Sequence, residues 1–345
     1  MTKIIDCSMG EGGGSIVRIS IALAALTNIS LKLINIRAKR SNPGLRAQHL
    51  EAINAIQQLS GMSVEGARIG SQTVYIEEGF KPKDDALVNI KTAGSISLVS
   101  QAVLYYSFIQ KRNIKLKIEG GATHGKWAPS IEYMENVTHA ILKLMNKKIY
   151  TEHRKFGFFP KGGAEITIKY DKHENPLPLI LSERGELEEI RGYSTASMSL
   201  KSRKVAERQL DSFIKKANPH VEVTPIIKYV DSISPGSGLT IVSQYSNGSK
   251  KGNFVPGEKH LSAERVGEIC STKWKKMEKG TGAIDVHAAD QLIVPMALVE
   301  DNSEITADEI SNHTRTNIEL IQKFFQKTIT IKKETNHYSL VIKDL

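Results

Sequence analysis

Three stretches of this 345-residue chain are built alike: "GEGGGSIVRISIALAAL" at 10–26, "TAGSISLVSQAVLYYSF" at 92–108 and "IDVHAADQLIVPMAL" at 284–298. Each sets small or polar residues just ahead of a compact apolar helix, and each would follow a strand. Such units aim their helix N-termini at one shared region. The irregular spacing of the three excludes a solenoid and leaves a repeated strand–helix module.

Strand patterns at 3–7, 31–36, 63–66, 72–77, 86–91, 114–118 and 164–170 alternate with helix patterns at 14–26, 45–59, 95–109 and 128–145. In "LRAQHLEAINAIQQL", Leu45, Ile53, Ile56 and Leu59 recur at near-helical spacing with polar residues between them. The alternation predicts an α/β or α+β architecture. Residues 183–277 break it. They open on the charge-rich "ERGELEEIRG" and carry two helix patterns of their own, "SRKVAERQLDSFIKKA" and "SAERVGEICSTKWKKM". This stretch has the length of an inserted domain, with residues 1–182 and 278–345 forming the main body.

A formal charge of +10 favours polyanionic partners such as nucleic acid or nucleotides, although surface lysines alone also produce such an excess. Two cysteines, Cys7 and Cys270, cannot build a disulfide framework or a four-cysteine zinc site. The chain opens into a strand pattern without a secretory signature, and no apolar run reaches the ~18 residues of a membrane span. A soluble, cytoplasmic protein without membrane contact is expected.

The glycine loop fails both standard nucleotide motifs. No Lys-Ser/Thr follows "GEGGG" as a Walker loop requires, and Ser15 stands where a Rossmann fingerprint has its last glycine. What remains is a Gly-rich helix start able to seat an anion. Glu11 within it is unfavourable beside phosphate unless a divalent cation intervenes; a tight turn with a solvated Glu fits equally well. "NIRAKRSNPGLRAQHL" (35–50) gathers Arg37, Lys39, Arg40 and Arg46 around a Pro-Gly turn, with Arg18 one turn into the first helix. Guanidinium groups there make a phosphate clamp or a solvated basic loop. "GGATHGKWAPS" (120–130) sets Trp127 beside Lys126 at a Pro-started helix, a base-stacking arrangement or an ordinary buried Trp. None of the ten histidines lies in a zinc-binding spacing, and no G-x-S-x-G elbow occurs.

Taken in order, "GEGGG", "IRAKRSNPGLRAQHL", "TAGSISLVSQ", "GGATHGKWAPS", "FGFFPKGGAE", "FVPGEKHLSAE", "HAADQLIVPMAL" and "SNHTRTNI" resemble the RNA 3′-terminal phosphate cyclases, from Asp6 to about Phe325. The resemblance implies three repeated units of two helices and a four-stranded sheet, similar to enolpyruvyl transferases, with a smaller α/β domain inserted in the third. It implies ATP-dependent conversion of an RNA 3′-phosphate to a 2′,3′-cyclic phosphate through an adenylyl-histidine. The motif "SNHTRTNI" places that nucleophile at His313. By the same matching, Glu11 is a ligand for Mg2+ or Mn2+, and Asp290 is an acid beside the histidine. Gln101, Trp127, Ala128, Pro129, Phe254, His287 and Asp290 fall at the nucleotide site. Arg18, Arg37, Arg40 and Gln48 fall where the family binds phosphates of ATP or of the RNA end. The chain departs from the pattern at Ser15, where many members have Gln, at Ala164, where a third Gly is usual, and at His287, which is Tyr in some members.

Rival expectations are a catalytically inactive cyclase-like protein of ribosome assembly, which lacks the histidine, a plain RNA-end-binding protein, and an enolpyruvyl transferase. The helices of the inserted stretch offer an RNA contact or the face of a homodimer.

Overall fold

A computed structural model describes residues 2–344. The first sheet runs in the order Lys3–Asp6, Leu31–Ile34, Val74–Gly79, Met62–Glu65. Its first two strands are parallel and the others antiparallel. Two helices, Gly14–Thr27 and Ala47–Ser60, fill the connections. Parallel neighbours require such crossovers, whereas the final antiparallel strands need only a loop.

The same plan recurs twice. Strands Asp85–Ser95, Ile114–Ala122, Glu165–Tyr170 and Ile149–Lys155 form the second sheet, with helices Ile96–Ser107 and 131–142. Strands Ile180–Leu181, Ser303–Ala307, Tyr338–Asp344 and Lys327–Lys333 form the third, with helices Val286–Ala297 and Asn312–Phe324. Between Ile180–Leu181 and Val286–Ala297 the chain builds a fourth sheet, ordered Val223–Val230, Leu187–Ser197, Ser237–Tyr245, Lys250–Pro256. Helices Val205–Ala217 and Ala263–Lys279 accompany that sheet and share its own apolar cluster around Leu210, Phe213, Val266 and Trp274. The expected mixed α/β class, its threefold repetition and an inserted sheet are therefore all present.

The three repeated units share one large core, because the first helix of each is apolar on nearly every face. In Gly14–Thr27, Ile16, Val17, Ile21 and Leu23 are fully buried. Each such side chain stabilises the fold by about 1.5–3 kcal/mol. The Gly14–Thr27 helix packs on Ile96–Ser107 of the second unit and on Asn312–Phe324 of the third. Its N-terminus thus lies at the meeting point of all three units.

Two boundaries shift for local reasons. The pattern at 128–145 forms helix only over 131–142, because Ser130 caps it by accepting from Tyr133 N at 3.1 Å. Within it, Met134–Thr138 forms a wider π turn. The pattern at 45–59 starts helix at Ala47, where His49 Nδ1 accepts from Arg46 N at 3.1 Å.

Candidate active site

Two of the three core helices have their first turn closed by a side chain. Ser95 accepts from Leu98 N at 3.3 Å, and Asp285 accepts from His287 N and Ala288 N at 2.9 and 3.0 Å. The third, Gly14–Thr27, follows Gly13 and has no side-chain cap. Its first amides stay available to an anion, and the helix dipole favours negative charge there.

The loop before this helix is shaped by the third unit. Gly10 takes φ +50°, and a Cβ on it would meet Thr316 Oγ1 at 2.0 Å. Only glycine permits so close an approach in the left-handed region. The loop therefore lies directly on helix Asn312–Phe324, whose second residue is His313. Glu11 Oε2 sits 2.9 Å from His313 Nε2 and 3.9 Å from Arg40 Nη2. Arg40 Nη2 also donates to the Glu11 carbonyl at 3.2 Å. A Cβ built on Gly13 would lie 3.4 Å from Arg40 Nη2 and 3.8 Å from His313 Cε1. The open helix start, the arginine and the imidazole thus converge on one spot.

Arg18 lies one turn deeper and is 6% exposed. Its one polar partner among the described residues is Gln101 Oε1, 3.3 Å from Nη2, and its Nε has none. Burial lowers its pKa to about 10, so the guanidinium is still charged near neutral pH. A buried cation without an anion is unfavourable unless a ligand supplies the negative charge. Beside it burial pushes the Tyr105 phenol up, and its hydroxyl has no hydrogen-bond partner among the described residues. His49 packs against Gly14, where a Cβ would fall 2.0 Å from Nε2. Burial, together with Arg18, Arg37 and Arg46, pulls the His49 pKa down to about 3 and keeps the ring neutral.

Asp290 does not hydrogen-bond to the His313 ring. It accepts from Ser311 Oγ and from Thr314 Oγ1, the latter at 2.5 Å, and its backbone carbonyl takes Asn317 Nδ2 at 3.0 Å. These contacts fix the start of the helix that presents His313. Burial raises the Asp290 pKa, against these hydrogen bonds and the charges of His313 and His287. His313 Nδ1 has no partner among the described residues.

The other sequence-predicted residues lie around this centre. Arg37 has φ +53° and turns Nη1 onto its own loop, donating to the carbonyls of Asn42 at 2.8 Å and Gly44 at 3.0 Å. It shapes the basic loop, while Arg40 reaches the centre. Gln48 Oε1 accepts from Ser95 N at 2.9 Å and so ties the first unit to the second. Trp127 is 91% exposed at φ +59°, with the Lys126 ammonium 5.2 Å from its ring centre. Ala128 and Pro129 beside it are half-buried, and His287 is exposed. Lys126 pairs with Glu258 at 2.8 Å, which brings this loop to the segment following Phe254.

These parts are joined by His124, which lies in the motif "GGATHGKWAPS" but to which the sequence assigns no role. Its ring centre is 5.7 Å from that of Phe254 and 5.2 Å from that of Phe158. Nδ1 is 2.8 Å from Thr123 Oγ1 and Nε2 is 3.0 Å from Glu132 Oε2. That second contact is close but not aligned as a hydrogen bond. Glu132 Oε1 accepts from Thr195 Oγ1 of the inserted sheet at 2.9 Å. His49 and His124 each lie in the sequence without a spacing that marks their partners.

Burial alone would raise the Glu132 pKa, but the charge of His124 and the hydrogen bonds bring it down to about 2. A carboxyl depressed from 4.5 to about 2 contributes stability above pH 4.5 that is lost as pH falls toward 2. Glu132→Gln should cost about 3 kcal/mol near pH 7, since it strands one partner of a buried pair. The gap from the unsubstituted protein should shrink between pH 4.5 and 2 in urea titrations; a pH-independent gap would contradict the pairing.

Over residues 9–331 the chain matches the family model described as RNA 3′-terminal phosphate cyclase. It is 37% identical to an RNA 3′-terminal phosphate cyclase of Methanococcoides burtonii, over 96% of this chain and 97% of the relative. Proteins of the same name from Caldivirga maquilingensis and Pyrococcus furiosus are each 35% identical, over 98% and 95% of this chain and 96% and 95% of their own lengths. With the match spanning all three repeats and the inserted sheet, the chain belongs to the RNA 3′-terminal phosphate cyclase family.

Proposed function

We propose that this protein uses ATP to convert the 3′-terminal phosphate of RNA to a 2′,3′-cyclic phosphate, with His313 as the nucleophile. The observation that carries this reading is a buried Arg18 with no anionic partner among the described residues, behind an uncapped helix start with His313 and Arg40 at its mouth. Such a site is built for phosphate beside a nucleophilic imidazole.

In the first step His313 Nε2 attacks the α-phosphorus of ATP, forming a P–N bond as pyrophosphate leaves. An oxygen of the RNA 3′-phosphate then attacks the same phosphorus, breaking the P–N bond and taking AMP. Finally the neighbouring 2′-OH attacks the RNA terminal phosphorus, losing its proton, and AMP departs. Against the Glu11 carboxylate, 2.9 Å away, Nε2 is the donor, so this contact must open and Nε2 must give up its proton before its lone pair can attack. Asp290 contributes by anchoring the helix start that carries His313, and Arg18 and Arg40 by meeting phosphate oxygens. Phe254 and the Trp127–Ala128–Pro129 segment, with Gln101, border the adenosine.

Glu11 would hold a divalent cation, Mg2+ or Mn2+. Among the described residues no group of three or more His, Cys, Asp or Glu side chains could hold a metal ion. That suits an ion keeping phosphate and water ligands and taking one carboxylate. When bound, it supplies charge neutralisation on the phosphates. Glu11→Gln should slow adenylylation about 10- to 100-fold and raise the cation concentration needed for half-maximal rate. An unchanged metal dependence would remove Glu11 from this role.

Residues 183–277 are taken as one inserted domain on the strength of their separate apolar cluster. No helix of the described residues is long and apolar enough to cross a membrane. A cytoplasmic setting suits two buried free thiols. Incubation with α-labelled ATP and a divalent cation tests the reading: a covalent AMP adduct supports it, and no adduct with any divalent metal rejects it.

A further inference from the structure

The turn 158–163, "FFPKGG", is closed by Gly162 N donating to the Phe158 carbonyl at 2.8 Å. Its two aromatic residues diverge. Phe158 is 2% exposed and packs on His124, whereas Phe159 is 77% exposed. Two loops of the inserted sheet close on this turn. Lys161 N donates to Ser234 Oγ at 3.2 Å, and Gly163 faces Ile233, whose Cδ1 would lie 2.4 Å from a Cβ there. Ser197 N donates to the Gly236 carbonyl at 2.8 Å, which brings in the 3₁₀ turn Met198–Arg203.

The resulting surface combines exposed apolar groups with an excess of cations, of which Lys201 and Lys204 lie near Glu207 and the Lys201 ammonium sits 6.0 Å from the Tyr229 ring centre. Segments 156–163, 197–204 and 231–236 contain four cations, Lys161, Lys201, Arg203 and Lys204, against one carboxylate, Asp231. None of those cations enters an ion pair among the described residues. Met198 and Ile233 are 45% and 62% exposed. An exposed aromatic two residues from Lys161, on a surface that carries further cations outside ion pairs, fits single-stranded nucleic acid, whose bases stack while its phosphates are neutralised.

The surface also connects to the active site. A Cβ on Gly162 would meet the Thr92 carbonyl at 2.9 Å, and Gly94, two residues on, backs onto Gln48. Gln48 in turn accepts from Ser95 N beside the basic loop that supplies Arg40. The geometry points to a track for the RNA nucleotides lying 5′ of the terminal phosphate, with a base stacked on Phe159 and phosphates crossing Lys161 and the Lys201–Lys204 cations. This track rests on the cyclase reading above.

The test uses 3′-phosphorylated oligoribonucleotides of two and about ten nucleotides with the full-length protein. In the unsubstituted protein KM should fall with length. Phe159→Ala should raise KM for the longer RNA at least about fivefold and leave the dinucleotide and the AMP adduct unchanged. Replacing Lys201, Arg203 and Lys204 together with Gln should reduce the salt slope of longer-RNA binding by about two. The track is overturned if KM does not depend on length, if Phe159→Ala affects both RNAs equally, or if neither RNA responds. In the last case a protein partner is the remaining occupant of the surface. If the unsubstituted protein cyclises no RNA of either length, the cyclase reading itself fails.

Discussion

His313→Ala should leave no AMP adduct and lower cyclisation by on the order of 10⁴-fold or more, the scale of losing a covalent nucleophile. The fold should survive. His313 is 43% exposed at its side chain, and its one close polar contact is Glu11 Nε2 to Oε2 at 2.9 Å. Substitutions at such half-exposed positions change stability by about 0.5 kcal/mol or less. An unchanged urea midpoint with a vanished adduct separates a chemical role from a structural one. An adduct that persists in His313→Ala, mapped to another residue, would displace His313 from the mechanism. The neighbouring anchor predicts a graded effect, since Asp290 hydrogen-bonds to Ser311 and Thr314 and not to the ring itself.

Arg18→Met should move activity and stability in opposite directions. Methionine keeps much of the length of the side chain but removes a buried cation whose sole polar partner among the described residues is Gln101. Without ligand the guanidinium is desolvated and uncompensated, so its removal should stabilise the free protein by about 1–3 kcal/mol. In the proposed adenylylation the same charge would face the developing negative charge of the phosphates. Losing one preorganised group of this kind costs about 10²–10³-fold in rate. A higher urea midpoint with adenylylation reduced by that factor is the expected pair of results. Lower stability with full adenylylation would mean that Arg18 serves the core alone. Such a trade is common where a site holds charge ready for its ligand.

The threefold repetition was legible in the sequence because it rests on a strong signal, small residues followed by a helix apolar on nearly every face. The Gly14–Thr27 helix forms almost where the pattern 14–26 lies. Boundaries set by single side chains were less legible: Ser130 delays one helix, and the His49–Arg46 contact delays another. The centre of the site was readable as far as residue type and order could take it. Glu11, Arg40 and His313 lie close together from two units of the fold, and Arg18 sits one turn further along the helix that begins there. Arg37 reads identically to Arg40 in the sequence, yet its left-handed backbone turns it onto the carbonyls of its own loop. Backbone conformation, not composition, separates the two. The exposure of Trp127 depends likewise on a left-handed φ that a non-glycine residue seldom adopts. His124 and Glu132 are eight positions apart, on a loop and a helix, and become a pair only through tertiary packing.

The central claim is ATP-dependent closure of an RNA 3′-phosphate, and RNA carrying a labelled terminal phosphate tests it most directly. Incubated with the protein, ATP and a divalent cation, the label should become resistant to phosphatase, with one AMP and one pyrophosphate released per closed end. The label should stay sensitive when ATP is omitted or when His313→Ala replaces the unsubstituted protein. Label that remains phosphatase-sensitive despite bound RNA and a formed AMP adduct would contradict the account.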